Sequence, residues 1–516
     1  MHGAAPLQTN GYKSTGSIRV ANGRFADEYE REVIFNGLNV VNKNARDGFI
    51  PHIDKPMLDQ FEAWGINLVR LGINWSALEP EPFQYSQAYL DRVARVVGAF
   101  ADRGIYVMLD MHQDLYGQKF DNGAPEWATL DNDLPHLTGP VWSDSYLISP
   151  AVQTAFDNFW ANKQVPGGTG LQDHYAAAWS RVAERFAGNP MVIGYDIMNE
   201  PFIGSAATAM FAEMLGGFAT VYAEKTGQIL SEDEIMALWS DQQSRTEAFR
   251  FFDDADAYAR LLQPAVAIHQ SFDTEQLQPF YQRVAQAIRE YDATGILFLE
   301  HGYFSNTGIP TAITCVHDSN GQPDSQCAYA PHAYDLVTDT ESTANPGYNR
   351  LAYIYEQLRA FREEQNIPVL VGEWGAFYGG NDDAMVSAAL YNMNEIDSAA
   401  FSHTYWAWFD GLAQQPYFTN ALLRPVVQVV SGELLSHGLR DRQTYELLWN
   451  ENPGIEQPSR IVVPGPFEIV GLECSVSHTP IYRIENHFDG ARLYLYPSGE
   501  GGERRVRLAL DAAEPG

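Results

Sequence analysis

Short, continuously apolar runs recur along this chain, and most are followed by a stretch with helical spacing. "EVIFNGLNV" (Glu32–Val40), "NLVRLGINW", "IYVMLDMHQD", "VIGYDIMNE", "GILFLEHG", "CAYAPHAYD", "PVLVGEWG" and "HTYWAWFDG" read as eight strands. A strand that is apolar at every position is buried on both faces, as in a parallel sheet covered by helices. "MLDQFEAWG", "LDRVARVVGAFADRG" and "HYAAAWSRVAERFAG" are intervening helices, each closed by a glycine suited to the left-handed turn at a helix end. The alternation predicts an α/β fold, a (β/α)8 TIM barrel. An open doubly wound sheet fits less well, because no glycine-rich dinucleotide turn follows the first strand.

The pattern changes near residue 430. From there apolar residues alternate with polar ones between Pro and Gly turns, and helical spacing stops. Residues 431–516 are therefore expected to form a C-terminal all-β sandwich behind a catalytic barrel at 1–430. A buttress is the expected role of the smaller part, with substrate binding as the alternative. The 516 residues and a 45% hydrophobic fraction suffice for both cores.

The formal charge is −33, from 66 acidic and 33 basic residues. Such a field repels nucleic acid and anionic membrane surfaces and suits a neutral or cationic substrate. No apolar run is long enough to make a transmembrane segment. The opening "MHGAAPLQTNGYKSTGS" lacks a basic and then apolar leader, so the expected location is the cytoplasm or, for a processed form, outside the cell. Cys315 and Cys327 bracket a turn-rich loop; a disulfide and two free thiols are equally compatible with that spacing.

Polar residues gather at the ends of the predicted strands. The second strand carries Arg70. The third carries Asp110, His112 and Asp114, and the fourth ends in Asn199 and Glu200. The sixth holds His332 and Tyr334, the seventh ends in Glu373-Trp374, and the eighth offers Trp406 and Trp408. Taken singly, Arg70 reads as a structural ion pair, His112 as a core histidine and the tryptophans as core filling. Taken together they all lie at one end of the barrel, where the C-terminal strand ends face one another. Two glutamates at the ends of buried strands are harder to place as structure, since an unpaired buried carboxylate is costly.

Two carboxyls across a cleft are the equipment of glycoside hydrolysis: one protonated to give its proton to the leaving oxygen, one ionised to attack the anomeric carbon. Strands four and seven lie on opposite sides of an eight-stranded mouth. Asn199 is placed to hold a sugar 2-hydroxyl, and Arg70 and Tyr334 to keep the attacking carboxylate ionised. No HExxH is present, and neither a metal nor a cofactor is implied.

"YDIMNEPF", "LDMHQDLYG", "CAYAPHAYDL" and "LVGEWG" together resemble glycoside hydrolase family 5, in its endoglycoceramidase branch, over roughly Val33 to Val430. The resemblance implies a retaining β-glycosidase that cleaves between the sugar and the lipid of a glycosphingolipid. It implies Glu200 as acid/base, Glu373 as nucleophile and Asn199 as the 2-hydroxyl partner. Arg70, His112, His332 and Tyr334 match active-site positions of the family. Lys43 and Asp114 correspond to sugar-binding positions of the branch, and Trp406 to a platform under the sugar. "APHAYDLVTDT" and "HGYFSNTGIP" are also similar to a neighbouring branch, so exo action on glucosylceramide or a steryl glucoside is the alternative. Another family 5 β-glucosidase or endoglucanase is a further one. A non-catalytic carbohydrate-binding barrel is opposed by the presence of both glutamates.

Residues 201–294 separate the fourth and fifth strands, far more than one helix and two short loops require. Phe202, Ile203, Met210, Phe211, Met214, Leu215 and Phe218 recur there at near-helical spacing. Most are expected to pack on outer helices. Because the segment begins beside Glu200, Phe202, Phe211 and Leu215 are candidates for an apolar slot that holds the aglycone.

Overall fold

The computed structural model describes residues 16–378, 383–475, 481–487 and 489–512. Most of the opening stretch examined for a leader (1–15) lies outside the described residues, as do parts of "GEWGAFYGG" and of the C-terminal segment.

The eight predicted strands form one parallel barrel. They are β1 (Asn36–Val40), β2 (Leu68–Ile73), β3 (Tyr106–Met111), β4 (Val192–Asp196), β5 (Ile296–Leu299), β6 (Cys327–Tyr329, resumed at His332–Ala333), β7 (Leu370–Val371, resumed at Glu373–Trp374) and β8 (Ser402–Tyr405). Pairing runs β7-β8-β1-β2-β3-β4-β5-β6. A bridge from Tyr329 to Val369 and the pairing of His332 with Glu373 close the ring.

The strands alternate by face. Val69, Leu71, Val107, Leu109, Leu297 and Leu299 belong to the large apolar core shared with the helices. Leu68, Met108 and Phe298 belong instead to the barrel floor, with Phe35, Tyr106 and Ile193. Two residues on from those three floor residues come Arg70, Asp110 and Glu300, on the same face but all charged and fully buried. The inner surface therefore changes from apolar at the bottom to ionic at the C-terminal end.

"EVIFNGLNV" is not one strand. Glu32–Val33 joins a second sheet, and the barrel begins only at Asn36. Between them Ile34 enters the sandwich core while Phe35 enters the barrel floor, so the chain changes partners in two residues.

The long segment after β4 is helical. Helices span Ala206–Thr226, Glu232–Ser240, Gln242–Phe249, Ala255–Leu262 and Val266–Phe272, before Gln278–Arg289 packs on Leu171–Phe186 as a barrel helix. Behind the barrel, Gly432–Asp441, Thr444–Glu451, Gly502–Ala512 and Phe467–Cys474 form a four-stranded antiparallel sheet. It faces a seven-stranded sheet containing Val426–Val430, Ser459–Pro464, Gly490–Leu495 and Tyr482–His487. That sheet also takes in Arg19–Ala21, Arg24–Ala26 and Glu32–Val33 from the N-terminal side. Val427, Val430, Leu447, Trp449, Ile461 and Leu493 fill the sandwich core. This is the fold class expected, a TIM barrel with a C-terminal β-sandwich. The three cysteines are unbonded, so the disulfide alternative for Cys315 and Cys327 is not realised. No helix among the described residues is long and apolar enough to cross a membrane.

Candidate active site

At the ionic end of the barrel Arg70 is the hub. Its Nε donates to Asp196 at 2.7 Å, Nη1 to Glu373 Oε1 at 2.7 Å and to Asn39 at 3.1 Å, and Nη2 to Asn199 at 2.9 Å and Glu300 at 2.7 Å. Asp110 lies 3.1 Å from the same Nη2. One guanidinium cannot neutralise four carboxylates, and the site relieves the excess in two ways. Burial and the neighbouring Glu300 push Asp196 well above the usual carboxylate range, which disfavours its charge. Burial also works against the His332 imidazolium, but Glu300 and Glu373 outweigh it and hold the ring charged.

Glu200 and Glu373 face each other, with an oxygen of each and a nitrogen of His332 all within 4.8 Å of one another. Glu373 accepts from Arg70 on Oε1 and from the Tyr334 hydroxyl on Oε2 at 2.9 Å. Burial pushes its carboxyl up to about 7, against the pull of His332 and Arg70. Glu200 Oε1 accepts from Asn306 Nδ2 at 2.7 Å and faces His332 Nδ1 at 2.9 Å. The Glu200 backbone lies in the left-handed region, φ +47°, which a non-glycine residue adopts only where its surroundings fix it. Its N–H donates to Glu300 Oε2 at 2.7 Å, and its carbonyl, with that of Asn199, accepts from Gln113.

A second polar group lies beside this pair. His112 Nδ1 is 2.8 Å from Asp110, Nε2 is 3.4 Å from Asp114, and the ring stacks on Trp406 at 5.3 Å. Burial opposes its charge, but the two aspartates lift it to about 9. Burial likewise opposes the Asp114 carboxylate, and Lys43 and His112 overcome this and hold it ionised. Lys43 Nζ meets Asp114 at 2.6 Å and lies 4.6 Å from the Trp406 ring centre.

These groups line a cleft with about 1260 Å³ of open space. Lys43, His112, Asp114, Asn199, Glu200, Tyr334, Glu373 and Trp406 all reach it, as the strand-end reading expected; Arg70 and His332 lie just behind. The remaining wall mixes apolar side chains, Val141, Leu147, Phe211, Met214, Phe249, Phe304 and Leu336 among them, with the charged Asp144, Arg245, Asp335 and Asp339. Phe211 is where the reading put it. Phe202 and Leu215 are not. Phe202 is fully buried among Tyr146, Phe156, Tyr303 and Phe304, and Leu215 packs toward the core. From this helix Phe211 and Met214 reach the cleft; Leu215, a turn beyond Phe211 on the same face, does not. Trp408 also turns inward, onto Phe61 and Trp64.

Several members were missed. Glu300 and His301 end β5, and the strand-end rule, applied to that strand, finds them. Asp196 and Asn39 sit inside strands with no signal beyond a polar residue in an apolar run. Asn306 lies in a short 3-10 helix, Tyr303–Thr307, and Trp142, Asp339 and Tyr378 on loops, without periodicity to mark them. Asp110, Asp196 and Glu300 have the spacing of a cation site, but Arg70 already pairs with all three.

Known proteins are similar to this chain to different extents. Endoglycoceramidase I of Rhodococcus hoagii (strain 103S) is 34% identical over 200 residues, 38% of this chain and 39% of that protein. Endoglycoceramidase of Hydra vulgaris is 30% identical over 221 residues, 37% and 41% of the two chains. The sequence matches thus span about two fifths of the length of these curated relatives. The solved structure of endo-glycoceramidase II from Rhodococcus sp. as a lactosyl-enzyme intermediate superposes with TM-score 0.70 at 26% identity, covering 95% of this chain and 100% of that one. The model of cellulase, glycosyl hydrolase family 5, matches residues 26–411, which contain every side chain of the cleft, and the chain belongs to that family.

Proposed function

We propose that this chain is a retaining β-glycosidase that cleaves glycosphingolipids between the sugar and the lipid. One observation carries the reading: the facing Glu200–Glu373 pair opens onto a cleft lined both by the linked group of Lys43, His112, Asp114 and Trp406 and by the apolar side chains of Leu147, Phe211, Met214 and Phe249. A sugar suits the first set and an alkyl chain the second. The likeness to endoglycoceramidases, one of them solved with a lactosyl group on the enzyme and another time with ganglioside GM3, supports it.

In this reading the Glu373 carboxylate attacks the anomeric carbon as the bond to the lipid oxygen breaks, and Glu200 gives its proton to that oxygen. Glu200, now a carboxylate, takes a proton from water, whose oxygen displaces Glu373 and releases the sugar with its original configuration. Arg70 and Tyr334 hold the two Glu373 oxygens, and Asn199 lines the cleft between the carboxyls. The contact of oxygens below 4.8 Å suits direct attack, since an inverting pair stands roughly 6.5–9.5 Å apart to admit a water.

The test is incubation with lactosylceramide and with glucosylceramide, followed by identification of the sugar released. Intact lactose with β configuration establishes endo action and retention. Glucose from glucosylceramide alone selects the exo alternative, towards which the 27% identity to a glucosylceramidase of Aspergillus fumigatus over 243 residues points. Release from neither substrate overturns the reading.

A further inference from the structure

Glu200 Oε1 is held from two sides, by Asn306 Nδ2 at 2.7 Å and His332 Nδ1 at 2.9 Å. The orientation of the Asn306 amide is itself determined further back. Its Oδ1 lies 2.9 Å from His301 Nε2, and His301 Nδ1 lies 2.6 Å from the Tyr329 hydroxyl. Tyr329, His301 and Asn306 are all buried, and of the three Asn306 reaches the cleft. Burial and the charged His332 beside it push His301 down to about 3, so the ring is neutral and carries a single proton. Burial pushes the Tyr329 hydroxyl far up, so it always has a proton to give.

These constraints select one pattern. Tyr329 O–H donates to His301 Nδ1, His301 Nε2–H donates to Asn306 Oδ1, and Asn306 presents its NH2 to Glu200. The His332 backbone N–H also approaches His301 Nε2, at 3.3 Å. Satisfying that longer contact alone would set the Asn306 oxygen against a lone pair at 2.9 Å.

We propose that Tyr329, His301 and Asn306 form a positioning chain that reserves Glu200 Oε1 for hydrogen-bond donors and confines the transferable proton to Oε2. The proposal rests on the reading of Glu200 as the acid. As the lipid C–O bond breaks, its electron pair takes the Oε2 proton, and the carboxylate left behind already has Asn306 and His332 on Oε1. In the second half a water proton returns to Oε2. The chain matters only where Glu200 moves a proton, so kcat/KM for a glycoside whose leaving group needs none, which reports the first half alone, separates it from a structural role.

The experiment uses the full chain with two substrates, an alkyl glycolipid and a 2,4-dinitrophenyl β-glycoside, whose leaving group needs no proton. Asn306→Ala is expected to lower kcat on the glycolipid about 100-fold with KM within about threefold, and to change kcat/KM for the dinitrophenyl glycoside, the rate compared below, less than about threefold. Tyr329→Phe keeps the ring and removes one hydroxyl, three hydrogen bonds from Glu200. It should lower glycolipid kcat by about 3–10-fold and leave the dinitrophenyl rate alone, and it decides the matter if Asn306→Ala does not fold. In Glu200→Ala, adding Asn306→Ala should change nothing further on the dinitrophenyl substrate. Equal losses on both substrates, or no loss on the glycolipid, overturn the chain. If Glu200→Ala itself hydrolyses both substrates like the wild type, the assignment of Glu200 fails instead.

Discussion

At the scale of single residues, the two glutamates differ in what holds them, and this gives them separable phenotypes. Glu373 is bound by Arg70 and Tyr334, and Glu200 by Asn306 and His332. Glu200→Ala should keep cleaving glycosides with acidic leaving groups, and azide should then yield a β-glycosyl azide; Glu373→Gln should be inactive on every substrate. An azide product from Glu373→Ala, read by NMR, would reverse the roles. The pH profile follows from burial. Glu373 attacks only as a carboxylate and is held up to about 7, so kcat/KM should fall tenfold per pH unit on the acid side of that value, and because Glu200 must still carry its proton the profile is a bell and not a plateau. The groups facing it are Arg70, His332, His112, Tyr334 and Glu200. His332 is a cation that favours the carboxylate, so His332→Gln should move the acid limb to higher pH; a shift the other way would refute the charge assigned to that ring. Much of this site was legible in the sequence, because charge is so rare inside buried strands that Arg70, Glu200, His332 and Glu373 stood out. Asn306 was not, since an asparagine in a five-residue 3-10 helix carries no pattern and its importance comes only from what the fold sets beside it.

At the scale of elements, the barrel strands were legible because parallel strands buried on both faces have almost no polar positions. The exception is instructive. Residues 32–40 look like one strand, but the break at Ile34 and Phe35 reflects two cores competing for adjacent side chains, which no single periodicity encodes. Between β4 and β5 the approach is closest at Gly194, where a Cβ would lie 2.0 Å from the Ile296 carbonyl oxygen. Gly194→Ala should therefore destabilise the barrel by about 1–3 kcal/mol or more, read as a lower urea midpoint with unchanged slope. The helix Ala206–Thr226 offers the opposite kind of test, because neighbouring positions on one face do different things. Phe211 lines the cleft, and Leu215, one turn on along the same face, packs against the core. Phe211→Asp should raise KM for glycolipid about 10-fold or more while a small aryl glycoside is barely affected. Leu215→Asp should lower stability and affect both substrates alike. If Leu215→Asp behaved like Phe211→Asp, the division between the two positions would be wrong.

At the scale of the whole molecule, barrel and sandwich share a seam. Arg492 of the sandwich reaches Glu62 on a barrel helix at 3.2 Å, and the buried Glu32 accepts from the Leu434 N–H. Burial pushes Glu32 up to about 7 from an ordinary value near 4.5. A carboxyl raised on folding favours the native state below its unfolded value, and that contribution is lost as pH climbs through its folded value. Glu32→Gln should therefore flatten the fall in thermal midpoint between about pH 4.5 and 7, and should be the more stable protein at pH 8. Identical midpoints for the two proteins at pH 8 would place the charge elsewhere. Removing residues 431–516 strips the cover from Ile34, Val427 and Val430, and insoluble protein is the expected outcome; a soluble, active barrel would argue for a binding role instead. The same seam has a meaning in time. Val33 pairs with Val429, so its strand must wait for a partner synthesised 396 positions later, about 20–80 s at roughly 5–20 residues per second. Through that interval the nascent chain carries an unmatched strand edge, and the last barrel strand, Ser402–Tyr405, is made before that edge finds its partner.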